Sequence, residues 1–86
     1  MNKHAIIIKN PAFKAENIDE SIMFIVEEKV VVLHEHEKAI YNFFEGNKDV
    51  SEISTLLAST YENYNENDFI GFVEQLLALK ILIYKV

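Results

Sequence analysis

The sequence predicts an α+β domain in which a three-stranded antiparallel sheet is followed by three helices. Three observations carry this. Runs rich in Ile and Val crowd the first third of the chain, helical apolar spacing with capping residues fills the remainder, and the one Pro and two Gly act as isolated punctuation. At 86 residues, half of them apolar with six Phe and four Tyr, the chain reads as a single domain, 1–86, with enough large side chains for one core.

The strands come first. Ala5 to Lys9 is short and β-branched, Asn10-Pro11 interrupts it, and Ala12 to Glu16 resumes as an extended segment. SIMFIV (Ser21 to Val26) and KVVVL (Lys29 to Leu33) leave room between them only for a tight connection, so they form an antiparallel hairpin to which the N-terminal segment adds the third strand.

The helices follow. Ala39, Ile40, Phe43 and Phe44 share a helical face, and Gly46 is placed to stop that helix as its C′ residue. Asp49 with Glu52 three positions later makes a D-x-x-E capping box for the second helix, whose stripe is Val50, Ile53, Leu56, Leu57 and Tyr61. Asn65 with Asp68 offers a similar start for a third helix running to Leu79, and ILIYKV closes the chain as an extended segment.

Two surfaces carry more apolar area than one core requires. On the third helix, Leu79, Phe72, Leu76, Phe69, Val73, Leu77 and Ile70 span an arc of about 180°, against the roughly 100° stripe that a single packing face needs. In the strands, IMFIV and VVVL do not alternate in polarity, so one face of the sheet is left for another element, a second copy or a ligand. The run Val30 to Leu33 also lacks any Pro, Lys or Gly to guard an edge against strand addition.

Charge and residue types exclude several functions. The net charge is −6, with eight Lys, no Arg and fourteen acidic residues, and Asp49 to Leu79 holds six carboxylates and no cation. Three helices and a hairpin match a winged helix-turn-helix, yet a DNA reader of that kind holds phosphates with cations its helices here lack, so no nucleic-acid partner is expected. There is no cysteine and no H-E-x-x-H spacing, and HEHE at 34–37 supplies only two imidazoles, so we expect no metal, and the motif reads as an exposed strand–helix corner. No nucleophile–base spacing or phosphate loop appears, which argues against an enzyme and against a cofactor. No apolar run is long enough to cross a bilayer and no signal peptide opens the chain, so no membrane partner is expected; without cysteine, a cytoplasmic location fits.

VVVLHEHEKAIYNFFEGNKDVSEISTLLASTYE, followed by NDFIGFVEQLLALKILI, resembles the PqqD-like domains, or RiPP recognition elements. The matching positions are Leu33, Ile40-Tyr41, Glu45-Gly46, Val50, Ile53, Asp68, Phe72 and Leu76, and the likeness spans residues 18 to 83. Three positions depart from the family pattern: His34 stands where Asn is usual, Asp49 replaces a Thr cap, and Lys80 occupies the usual Gly.

The resemblance implies a winged helix-turn-helix-like fold and a non-catalytic peptide chaperone. Such a domain binds the leader segment of a ribosomally made precursor peptide as an added strand on the third strand, against the third helix. Mapped onto this chain, the edge is Lys29, Val30, Val31, Val32 and Leu33, and the groove wall is Phe69, Ile70, Val73 and Leu77, with Glu74 facing a basic leader side chain. The implied partners are the precursor's leader and a separate modifying enzyme, a radical-SAM protein or a lasso-type leader peptidase and cyclase. A chain of this length is expected to be the freestanding form. A homodimer pairing through the same strand is the rival interaction, and a winged-helix DNA-binding regulator the other alternative.

Overall fold

Val26 and Lys29 face each other across a two-residue turn, and the chain around them folds into a hairpin of β3 (Ser21–Val26) and β4 (Lys29–Leu33). Both turn residues are left-handed, Glu27 at φ 49° and Glu28 at φ 68°, the type I′ geometry that matches strand twist. A second tight turn, with Asp19 at φ 52°, adds β2 (Ala15–Ile18) on the other side, so this sheet has the order β2-β3-β4 and β4 is an edge. The computed structural model describes residues 1–85; Val86, the last residue of the expected closing segment, lies outside them.

The expected hairpin is therefore present, and its third strand, β2, overlaps the end of the N-terminal segment expected to supply it, whereas Ala5 to Lys9 goes elsewhere. That earlier segment, β1 (Ile6–Lys9), is the middle of a second antiparallel sheet, ordered β5-β1-β6, with β5 (Glu45–Asp49) and β6 (Leu82–Tyr84) on its flanks. The arrangement is α+β with two small antiparallel three-stranded sheets and three helices, and a strand intervenes between the first two helices.

The first helix, α1 (Glu35–Tyr41), is shorter than its apolar spacing predicts. Beyond it, Phe43 N–H donates to Ile40 C=O and Phe44 N–H to Tyr41 C=O, i→i+3 bonds that continue a helix-like pattern in 3₁₀ form while ending the α-helix. Gly46 is not a C′ residue. It lies inside β5 at φ 88°, beside an irregularity in the β1–β5 register, and a Cβ there would come within 3.2 Å of the Ile8 side chain. Only glycine combines that dihedral with that approach.

The caps of the other two helices follow the sequence closely. Asp49 accepts from Glu52 N–H at 2.8 Å while Glu52 accepts from Asp49 N–H at 3.0 Å, a complete box at the start of α2 (Val50–Thr60). Val50 and Ser51 donate to the carbonyls of Ala5 and Lys3, so the N-terminal segment satisfies two more free N–H groups of α2. Asn65 accepts from Asp68 N–H at 3.0 Å to start α3 (Glu66–Ala78).

At the far end of α3, Lys80 takes φ 62° although it is not glycine. Lys80 N–H donates to Leu77 C=O and Ile81 N–H to Leu76 C=O, the two bonds of a Schellman motif, with Leu76 and Ile81 both buried as its apolar contact. Asn10 grips the same corner, donating its amide N–H to Lys80 C=O at 2.8 Å and its backbone N–H to Ile81 C=O. These bonds offset the left-handed lysine and aim β6 at β1.

One apolar core joins both sheets to all three helices: Ile7 of β1, Phe24 of β3, Phe44, Ile53 and Leu57 of α2, Val73 and Leu76 of α3, and Leu82 of β6 are essentially closed to solvent. No polar or charged residue is buried among the described residues. Burial of this kind, at about 25 cal/mol per Å² of apolar surface, is what stabilises so small a domain.

Candidate functional site

Burial alternates along β3 even though polarity does not. Ile22, Phe24 and Val26 face the core, and Ser21, Met23 and Ile25 face away. On β4 the partners of the inward residues are Leu33, Val31 and Lys29, and the partners of Met23 and Ile25 are Val32 and Val30. The outward side thus presents a cluster of apolar side chains, with Ile18, Ile25, Val30 and Val32 all exposed. No other element of the described chain covers them, which is the open face that the non-alternating strands implied.

The turn geometry also fixes which backbone groups of β4 are free. In a two-residue hairpin the residues flanking the turn form a hydrogen-bonded pair, here Val26 with Lys29, and hydrogen-bonded pairs then recur at every second position. Lys29, Val31 and Leu33 accordingly direct N–H and C=O toward β3. Val30 and Val32 direct theirs away from it, to an edge that has no strand beside it among the described residues.

The expected groove wall is placed differently. Phe69 and Val73 are buried in the core, at 3% and 0% exposure, so they offer no open surface; Ile70 and Leu77 are half-buried and Glu74 is exposed. α3 rests chiefly on β6, while the helix leaning on β3 and β4 is α1. Edge and α3 flank are each present, but Phe69 and Val73 have been spent on packing, as the centre of an apolar arc should be.

The HEHE segment sits at the start of α1. His34 is the N-cap residue, with extended φ and ψ of −77° and 175°, and its N–H donates to the Glu37 carboxylate at 3.1 Å. His36 is in the first turn, edge-to-face with Tyr61 at 5.1 Å between ring centroids. Among the described residues no three of His, Cys, Asp and Glu converge as a metal-binding set, and no helix is long and apolar enough to cross a membrane.

A feature that sequence reasoning missed lies beside His36. A cavity of about 500 Å³ opens between α1, the 61–65 connection and the first half of α3, and Tyr61, Tyr64 and Phe72 form much of its wall. Phe72 belongs to one flank of the broad apolar arc on α3, so the excess breadth of that arc was its only trace in the sequence. A comparison with protein-family models, with curated proteins and with solved structures finds no match to the chain.

Proposed function

We propose that the protein is a peptide-binding domain that takes an extended segment as an added strand on β4, acting as a leader-recognition element for a ribosomally made precursor peptide. The observation that carries this reading is the edge itself: Val30 and Val32 leave N–H and C=O groups free at an unguarded edge, and their side chains are exposed at 61% and 40%. In this reading β2, β3 and β4 followed by α1, α2 and α3 form a winged helix-turn-helix-like frame, to which the β5-β1-β6 sheet is an addition. The added strand draws affinity from main-chain hydrogen bonds and specificity from alternate side chains, which meet the outward apolar cluster on one side and Val31 on the other.

The domain performs no bond chemistry in this role. It holds the precursor near a cytoplasmic modifying enzyme, a radical-SAM protein or a lasso-type peptidase and cyclase, and its contribution is effective concentration. The freed groups at Val30 and Val32 set the choice of variant. Val31→Pro removes an N–H that faces β3, whereas Val32→Pro removes one that faces the open edge, where proline is tolerated. Calorimetric titration with the leader half of a candidate precursor peptide tests the reading: Val32→Pro, still folded, should bind at least about tenfold more weakly than the unchanged protein. Unchanged affinity would rule out strand addition.

A self-paired dimer uses the same edge, and the exposed Ile25 and Val30 favour it as the second reading. Light scattering separates the two, because a dimer that dissociates as leader is added has one strand serving both purposes.

A further inference from the structure

The cavity beside His36 combines features that point to one class of ligand. His36, Tyr61, Tyr64 and Phe72 supply aromatic surface, and Glu37, Glu62 and Asp68 supply the charge; no Lys or Arg lines it. Aromatic faces carry negative quadrupole potential, so rings and carboxylates act with the same sign on whatever enters. An anion meets unfavourable potential from both, while an organic cation gains from both, and Asn63 and Asn65 add polar groups that are neutral.

The walls are held in place before any ligand arrives. The Tyr64 hydroxyl is hydrogen-bonded to Ser54 of α2, Tyr64 lies against Phe69 at 6.1 Å, and Phe69 is stacked on Phe44 in the core at 6.3 Å. Tyr61 is braced by His36, and Glu37 is positioned by its bond from the His34 N–H. A preorganised cavity of this size lies within the range of ligand sites rather than of packing defects.

We propose that this cavity is a binding site for the cationic side chain of a peptide, a guanidinium or alkylammonium group placed among the rings of Tyr61, Tyr64 and Phe72 and within reach of Glu37 and Glu62. The charge of the whole chain favours that occupant, since a net −6 and a cation-free stretch from Asp49 to Leu79 attract basic segments to this side. The site stands apart from strand addition: it is built from α1, Leu57 of α2, α3 and the connection before α3, none of which belongs to β4, and either can fail without the other.

The test is an NMR titration of the full chain with Nα-acetyl-arginine methylamide and Nα-acetyl-lysine methylamide, with the neutral Nα-acetyl-norleucine methylamide as control. The expected result is saturable shifts of the aromatic signals of His36, Tyr61, Tyr64 and Phe72, with dissociation constants of about 10 mM or tighter for the two cations and clearly weaker binding of norleucine. Tyr61→Leu should weaken the cations roughly two- to thirtyfold. Glu37→Gln with Glu62→Gln, which keeps an acceptor for the His34 N–H, should weaken them about two- to fivefold and leave norleucine unchanged. Equal binding of norleucine, shifts located elsewhere, or no saturable shift below about 50 mM would overturn the assignment. Tetramethylammonium chloride is the last arm: tighter binding than both amides would make a free small cation the occupant and overturn the side-chain proposal.

Discussion

Ile25 of β3 and Val30 of β4 lie directly opposite each other on the outward side of the sheet, 63% and 61% exposed. Cross-strand β-branched pairs support a hairpin, but this one is open to water and contributes little burial. Replacing both with threonine keeps β-propensity and removes the apolar surface. Thermal unfolding should then change by no more than about 0.5 kcal/mol, and any concentration-dependent association in sedimentation velocity should diminish.

The β3–β4 turn holds two glutamates in the left-handed region, each costing on the order of 1 kcal/mol relative to residues suited to it, with like charges adjacent. Glu27→Asn with Glu28→Gly should stabilise the domain by about 1–2 kcal/mol, read as a rise in denaturation midpoint with unchanged m-value.

His34 takes part in a capping box, its ring turned to the Glu37 backbone N–H and its own backbone N–H bonded to the Glu37 carboxylate, but the ring makes no full cap hydrogen bond as acceptor. Asn at this position supplies such an acceptor. His34→Asn should add about 1 kcal/mol in chemical denaturation.

Glu20, in the turn between β2 and β3, sets its carboxyl beside that of Glu35 at the start of α1. A hydrogen bond from the shared proton and then the repulsion of the Glu20 charge raise the Glu35 carboxyl above its ordinary value. A raised value in the folded state means that the folded chain holds the proton more tightly than the unfolded chain. The pair's favourable contribution is therefore present at acid pH and lost as pH rises through the folded value. Glu20→Gln should raise the melting temperature at neutral pH, and the gain should vanish below about pH 4.

These elements differ in how plainly the sequence announced them. The caps at Asp49 and Asn65 and the β3–β4 hairpin were legible because each rests on local chemistry. β5, in contrast, is Glu-Gly-Asn-Lys-Asp, composed of residues that strands usually avoid. It exists because its backbone pairs with β1 and because Gly46 adopts a dihedral that other residues rarely take, and no local pattern signals a partner as distant in sequence as Ile6 is from Asp49. Phe43 and Phe44 misled for a different reason, since 3₁₀ turns place apolar side chains almost as an α-helix does. At the site, the edge residues Val30 and Val32 could be read from the missing guards, whereas the burial of Phe69 and Val73 depended on what packs over α3.

Strand addition at β4 makes a residue-by-residue demand that amide hydrogen exchange can read directly. With the leader peptide bound, exchange at Val30 and Val32 should slow by at least about tenfold, while Val31, already bonded within the β3–β4 ladder, should change little. Slowing confined to α1 or α2, or unchanged exchange at Val30 and Val32 with peptide demonstrably bound, would contradict it.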